Sequence, residues 1–464
     1  MFHTDSNSVA MKYSTNPLSL SVTPGGVLRG RLRIPGDKSI SHRAIILGAI
    51  AAGDTEIIGF LEGEDTLATL AAFRAMGVRV EIQGVGKMQV CGIGSKGLSA
   101  PSGPLYLGNS GTSMRLLAGV LVGQRFSTEL IGDASLSRRP MGRIATPLRA
   151  MGANVTTTDA GTPPIRIQGG GVLSGIDYEM PMASAQVKSC LLLAGLFARG
   201  RTCVEEQAPT RDHTERMLPE FGCHLDRVPG RTCITGGEPL RGGRIVVPGD
   251  ISSAAFFLVG ATIAMGSDLI LENVGINPTR TGVIRILRMM GADIALSNER
   301  MAGGEPVADI RVRGHRLIGI RIPEALVPLA IDEFPALFIA AAFASGKTTV
   351  TGAGELRAKE SDRIAVMAAG LRQLGIDAEP TTDGMNIYGG KPTGGRIASH
   401  GDHRVAMAFA MAGLGSQNTI LVEDCANIDT SFPGFADVAS RAGLRIVVHR
   451  AKSDKNSNRP AKLR

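Results

Sequence analysis

The chain has no tryptophan, and aromatic residues make up only 4% of its 464 positions. Proteins that bind single-stranded nucleic acid stack bases on aromatic rings, so this scarcity weighs against that class. The six cysteines, at 91, 190, 203, 223, 233 and 425, form no C-x-x-C pair and have no histidine cluster beside them. A disulfide framework or zinc site is not expected, and a reduced, cytoplasmic setting is. The first twenty residues have neither an apolar core nor an Arg-rich amphipathic pattern, so no targeting signal is read there. The longest uncharged run, residues 251–267, is shorter than the ~20 residues of a membrane span and reads as a buried helix.

Glycine is abundant instead. There are 60, nearly double the usual ~7%. Hydrophobic residues, at 43%, are ample for a core of Ala, Val, Ile and Leu, and the length suits two to four domains. The formal charge is +8. Residues 451–464 hold five Lys/Arg and one Asp, so this stretch supplies +4 and reads as a disordered basic tail. The remaining +4 suits an anionic small molecule as well as nucleic acid.

The glycines follow two interleaved series. In one, an apolar helix ends at Gly53, Gly123, Gly200, Gly266, Gly346 or Gly415 before a β-rich run. In the other, a helix ends at Gly77, Gly152, Gly222, Gly291, Gly375 or Gly443 before an alternating strand. Glycine suits the left-handed residue that commonly follows a helix cap. The spacings, 66–84 residues, define six copies of a helix–strand–helix–strand unit that must pack together to bury their apolar faces. A larger repeat joins Pro35-Gly36-Asp37 to Pro248-Gly249-Asp250, 213 residues later. The copies thus divide three and three. Residues 36–249 are expected to form one domain and residues 1–35 plus 250–464 the other, with the chain crossing between them at the two PGD segments.

Several motif matches fail on context. Residues 92–97 fit GxGxxG, but the LSAPSGP that follows cannot open a helix. Ser345-Gly346-Lys347-Thr348 has a helix before it and a strand after it, the reverse of a phosphate-binding P-loop. The two Asp-His pairs have no second ligand at metal-site spacing.

Comparing the halves is more informative. Asp37 and Ser39 have counterparts in Asp250 and Ser252, and read as helix caps. Lys38 and Arg43 align with Ile251 and Phe256 instead, and cations in a first helical turn oppose the helix dipole. A charge that breaks local rules in one copy alone marks a site. Arg139, Arg211, Lys359, Arg363 and Arg404 lie in turn-like settings and together suit a substrate with several phosphate and carboxylate groups. Residues 108–113, GNSGTS, either hold an anion on free N–H groups or simply cap a helix. Asp332 and Glu360 are either proton-transfer groups tuned by these cations or ion-pair and capping partners.

The set PGDKSISHR, GNSGTSMR, SRRPMG, MASAQVKS, TRDHTE, NPTR, IDEFP, KESDR and GDHR resembles the 5-enolpyruvylshikimate-3-phosphate (EPSP) synthase family from about residue 28 to 446, in its class II bacterial form. The resemblance implies an α/β fold: a two-domain inside-out α/β barrel, the enolpyruvyl transferase fold, with six βαβαββ-type repeats, three per domain. It implies transfer of the enolpyruvyl group from phosphoenolpyruvate to the 5-hydroxyl of shikimate 3-phosphate in aromatic amino-acid biosynthesis. By motif, Lys38, Ser39, Arg43, Ser184, Ala185, Gln186, Arg211, Asp332 and Lys359 would meet shikimate 3-phosphate. Lys38, Gly111, Arg139, Gln186, Arg363 and Arg404 would meet phosphoenolpyruvate. Glu360 would deliver a proton to the phosphoenolpyruvate methylene and Asp332 remove one from the hydroxyl, with Lys38 assisting. No metal or organic cofactor, nucleic acid or membrane partner is implied. A cytoplasmic monomer is expected, and a target of glyphosate. One departure is Thr430, where many relatives have Lys.

Two other readings exist. A transferase acting on UDP-N-acetylglucosamine would share the architecture, but it has Lys-Asn where this chain has Lys38-Ser39, and a loop Cys absent from GDASLSRR. An RNA-binding or RNA-processing protein of related repeats would suit the basic charge but not the scarce aromatics.

Overall fold

The computed structural model describes residues 18–450, so the expected basic tail lies outside the described residues. Among the described residues, twelve α-helices form six consecutive pairs: α1 (Lys38–Ile50) and α2 (Glu64–Ala75); α3 (Gly111–Leu121) and α4 (Gly142–Ala150); α5 (Ala185–Gly195) and α6 (His213–Glu220); α7 (Ile251–Ile263) and α8 (Gly282–Met289); α9 (Phe334–Ala342) and α10 (Arg363–Gln373); α11 (His403–Ala412) and α12 (Phe435–Ala442). The first helix of each pair is apolar nearly all round. In α9, FPALFIAAA, every residue is buried, and in α7 all but the last are. Such helices belong inside a core. α3 packs on α1 and α5, while α7, α9 and α11 pack on one another.

Among the described residues six sheets cover these helices. Their plan recurs: an edge strand runs parallel to its neighbour, and two antiparallel pairings follow. The first sheet shows it, with Arg244–Val246 parallel to Ala52–Ile58, which pairs antiparallel with Lys87–Ile93, itself antiparallel to Arg79–Gly84. In the three-stranded sheet, isolated parallel bridges Ile318–Ser345 and Arg321–Thr349 stand where the edge strand would be. In the last, the N-terminal strand Leu18–Thr23 lies between Ile420–Glu423 and Arg445–Arg450. Helices inside and sheets outside make six copies of one unit, which agrees with the six repeats and with the inside-out α/β architecture that the family resemblance implies.

The apolar core is in two clusters. One draws on residues between Ile40 and Val247, the other on Leu20–Ile34 and residues from Ile251 to Leu444. The strand Arg29–Arg33 lies parallel to Asp268–Gly275, so the described chain leaves the second body, passes through the first and returns. The two connections cross as Gly36 pairs antiparallel with Gly249; Asp37 N–H donates to Pro248 O (2.8 Å) and Asp250 N–H to Pro35 O (2.9 Å). A Cβ on Gly36 would fall 1.8 Å from Gly59 O, so no other residue fits.

The second glycine series behaves uniformly: all six residues have positive φ, from 78° to 115°. In the first series Gly123 and Gly415 do not. There glycine makes room instead, since a Cβ would meet the rings of Phe197 and Phe343 at 2.2 and 2.6 Å.

One expectation is corrected. Cys203 and Cys233 are joined by a disulfide, while Cys91, Cys190, Cys223 and Cys425 are free. The two residues face each other directly across antiparallel strands, with Cα atoms 4.1 Å apart. Their 30-residue separation hides this pairing in the sequence. Among the described residues no helix is long and apolar enough to cross a membrane.

Candidate active site

All six central helices direct their N-terminal ends at one cleft between the two bodies. Its wall takes Lys38 and Ser39 from α1, Thr112 and Arg115 from α3, and Ser184, Gln186 and Val187 from the start of α5. From the other body come Asp250 at the start of α7, Asp332 just before α9, and His403 and Arg404 from α11. Each helix start carries roughly half a positive charge. Side chains of Asp37, Ser110, Ser184, Asp250 and Asp402 accept hydrogen bonds from N–H groups in these first turns. The caps anticipated at Asp37 and Asp250 are therefore present, whereas Ser39 and Ser252, read as caps with them, lie inside the first turns of α1 and α7 and do not cap them.

Nine Lys and Arg residues line the cleft against four Asp and Glu. Asp332 is the focus of the second body's cations. Arg211 reaches it from the first body, and Lys359 Nζ, Arg363 Nη1 and Arg404 Nη2 lie 3.4, 3.5 and 3.9 Å from its carboxylate. Burial opposes its ionisation, but Arg211, Lys359, Arg404 and Arg363 together hold the carboxyl well below the usual range. Glu360, a quarter exposed, is likewise held low, by Arg363 at 2.6 Å and Arg139 at 3.8 Å. Arg363 itself is 1% exposed and anchored by Asp402 at 2.9 Å. Lys38 pairs with Asp65. His403 is pushed down to about 3, chiefly by burial and by Lys38, so it is neutral at pH 7 and adds no charge.

Of the residues singled out in the sequence, Lys38, Ser39, Arg139, Ser184, Gln186, Arg211, Asp332, Lys359, Glu360, Arg363 and Arg404 line this cleft. Ala185 lines an adjoining pocket with Met182, Val327 and Ile331. Gly111 opens α3, and its Cβ would stand 3.2 Å from Arg139 Nη1. Arg43 stands apart from the wall. Its guanidinium donates to Thr214 Oγ1 (2.7 Å), Ser189 Oγ (2.6 Å) and Ser39 O (2.9 Å), which turn it into the interior behind α1. Thr430 also lies off the cleft. Its hydroxyl donates to Asn427 O (2.7 Å), and it borders a separate cavity with Glu64, Asp65 and Asp429. Lys347 sits 5.2 Å over the Tyr388 ring at the start of a strand, away from any phosphate-binding turn.

Three arginines on the wall were not singled out as site residues: Arg115, Arg143 and Arg280, the last present only within the NPTR string. Arg115 donates to Gln186 Oε1 (2.6 Å) and to Pro140 O (3.2 Å), and Arg143 lies beside it at the start of α4. Arg115 had a signal: it comes one helical turn after Gly111, so it shares the face of the GNSGTS loop.

Two bodies of inward helices and outward sheets, closed on a cleft that gathers opposed charges from both, define the two-domain enolpyruvyl transferase architecture. The family model for EPSP synthase (3-phosphoshikimate 1-carboxyvinyltransferase) matches residues 22–439, and the chain belongs to the EPSP synthase family. The 3-phosphoshikimate 1-carboxyvinyltransferase of Alkalilimnicola ehrlichii is 65% identical over 431 residues, covering 92% of this chain and 96% of that protein. That of Nitrosococcus oceani is 64% identical over 433 residues, covering 93% and 98%. A solved EPSP synthase from Acinetobacter baumannii superposes with a TM-score of 0.85 at 57% identity, covering 93% of this chain and all of that one.

Proposed function

We propose that the chain transfers the enolpyruvyl group of phosphoenolpyruvate to the 5-hydroxyl of shikimate 3-phosphate and releases phosphate, as a step of the shikimate pathway. Family membership supports this reading. The observation that carries it is the cleft itself, where cations from both bodies surround two carboxylates held ionised. Two polyanions that repel each other in water are held together by such a wall, which is positioning and electrostatic preorganisation.

Shikimate 3-phosphate is assigned to Lys38, Ser39, Ser184, Ala185, Gln186, Arg211, Asp332 and Lys359, with Arg43 acting from behind α1. Phosphoenolpyruvate is assigned to Lys38, Gly111, Arg139, Gln186, Arg363 and Arg404. As the 5-oxygen bonds to C2 of phosphoenolpyruvate, C3 gains a proton and the hydroxyl loses one; loss of that C3 proton and of phosphate then restores the double bond. Glu360 is assigned to C3 and Asp332 to the hydroxyl, with Lys38 assisting. A bound phosphate or carboxylate competes for Arg139 and Arg363, which weakens their hold on Glu360 and raises its pKa toward that of a useful acid. No metal or organic cofactor takes part. The protein is taken to be a cytoplasmic monomer without nucleic-acid or membrane partners. Its domains are residues 36–249 and residues 1–35 plus 250–464.

The test is phosphate release from phosphoenolpyruvate with shikimate 3-phosphate or UDP-N-acetylglucosamine as acceptor, with and without a chelator. Release with shikimate 3-phosphate alone, unchanged by chelation, is expected. Release only with the nucleotide sugar, or loss on chelation, overturns the reading.

A further inference from the structure

The segment NPTR, residues 277–280, has no part in the chemistry above, yet its arginine is among the most enclosed charges in the protein. Arg280 is 3% exposed and lies over the crossing of the two connections. Its Nη1 is 3.1 Å from Asp37 Oδ2, and its Nη2 is 3.3 Å from Asp250 Oδ1. Nη2 also donates to Ser252 Oγ (2.6 Å) and lies 3.6 Å from Glu333 Oε1. Asp37 caps α1, Asp250 caps α7 and Glu333 occupies the N-cap position of α9. One guanidinium thus holds the starts of three central helices, one from the first body and two from the second.

The same motif is tied to the segment that carries Arg211. Asn277 Nδ2 donates to Asp212 Oδ1 (2.7 Å) and Glu305 Oε2 (2.9 Å), His213 Nδ1 is 2.6 Å from Glu305 Oε1, and His213 Nε2 is 3.3 Å from Arg280 Nη1. TRDHTE therefore sends only Arg211 to the cleft, while Asp212 and His213 engage the second body. Burial works against ionisation of both crossing caps; Arg280 nevertheless holds Asp37 down at about 2, while burial and the Asp37 charge raise Asp250.

We propose that Arg280 is a positioning residue for the transfer: it fixes the first turn of α1, with Lys38 and Ser39, in register with the lead-in to α9, with Asp332. Neutralising the carboxylates needs only a point charge. Setting a distance between two caps, a hydroxyl and a third carboxylate needs the planar fork of arginine. The inference rests on the functional reading above.

The experiment compares wild type, Arg280→Lys, Arg280→Gln and the double variant Arg280→Gln/Asp250→Asn in steady-state kinetics and thermal melting. Arg280→Lys keeps the charge and loses the fork. It is expected to melt within a few degrees of wild type, with kcat at least about tenfold lower and both KM values within about threefold, since a displacement of ~1 Å can reduce rate on the order of 100-fold. Arg280→Gln should melt lower, because it leaves Asp37, Asp250 and Glu333 together without a cation. Adding Asp250→Asn keeps the cap and removes one charge, so the melting temperature should recover while kcat stays low. A normal kcat in Arg280→Lys overturns the inference, as does a kcat that recovers together with the melting temperature in the double variant. Should Arg280→Gln not fold, Arg280→Lys and the double variant decide. An inactive wild type overturns the functional reading itself; a normal Arg280→Lys beside an active wild type overturns this inference alone.

Discussion

Arg211 and Asp332 form an ion pair across the cleft, one residue from each body. Arg139 and Glu360 do the same at 3.8 Å. On the proposed assignment, closure is held partly by charges that the substrates compete for, and each bound anion would replace a cross-cleft contact with one of its own. With both substrates bound, the radius of gyration measured by X-ray scattering should not exceed that of the free protein and should fall wherever the free protein populates open forms. Raising salt should expand the free protein more than the complex, because ions screen exposed pairs before enclosed ones. Equal expansion of both at saturating ligand would show that the cleft charges do not govern closure.

Arg404 tests the proposed division of the cleft between the two substrates. Its Nη1 donates to Asp332 O (3.0 Å), which aims the guanidinium along the second body's wall. Arg404→Ala should weaken phosphoenolpyruvate by about tenfold to a hundredfold, the ~1.5–3 kcal/mol of a charged hydrogen bond, and shikimate 3-phosphate much less. Glu360→Gln should do the opposite: kcat falls by roughly 100-fold or more with both KM values little changed, because proton transfer acts in the transition state. Dissociation constants and initial rates on the two variants check both statements.

The low folded-state values at Asp332 and Glu360 fix the sign of two pH effects. Both carboxyls ionise more readily folded than unfolded. The stability they contribute is complete above the ordinary carboxyl range near pH 4, and is lost as pH falls through the lowered folded values. Binding acts the other way on Glu360. An anion on Arg139 and Arg363 raises its pKa, so the complex takes up protons, more of them as pH falls. Calorimetry in two buffers of different ionisation enthalpy should give more proton uptake for wild type than for Glu360→Gln. Equal uptake would mean that Glu360 does not change its protonation state on binding.

What the sequence made legible follows from range. The six glycines of the second series punctuate local helix ends, and each adopts the positive φ that a helix cap demands, so the repeat and the fold class could be read directly. The strand Leu18–Thr23 could not be placed, because it completes a sheet whose other members lie about 400 residues away. Site residues divide similarly. Lys38 stood out because its counterpart in the other half is Ile251, but the same argument favoured Arg43, which three hydrogen bonds turn inward. A sequence reveals that a cation breaks a local rule; only packing decides which way it points. The interlock of NPTR with TRDHTE was invisible for the same reason: each motif's partner is in the other body.

Gly111 offers the sharpest test of the loop that opens α3. A Cβ built on it would stand 2.8 Å from Arg115 Nη1 and 3.2 Å from Arg139 Nη1, with no strain in the backbone. The added methyl group must therefore displace the ends of two flexible side chains. Arg115 is not free to move without loss, since that same Nη1 donates to Gln186 Oε1 at 2.6 Å. Gly111→Ala should thus crowd the part of the cleft proposed for phosphoenolpyruvate from two directions: through the methyl group itself and through the Arg115–Gln186 contact. Glyphosate, which competes with phosphoenolpyruvate in this family and is the longer molecule, should lose affinity strongly, phosphoenolpyruvate less, and shikimate 3-phosphate hardly at all. Wild type, with nothing added at residue 111, should be glyphosate-sensitive, as the family resemblance implies. Inhibition measured across phosphoenolpyruvate concentrations decides it. Equal inhibition constants for wild type and a well-folded Gly111→Ala protein would place this loop away from phosphoenolpyruvate.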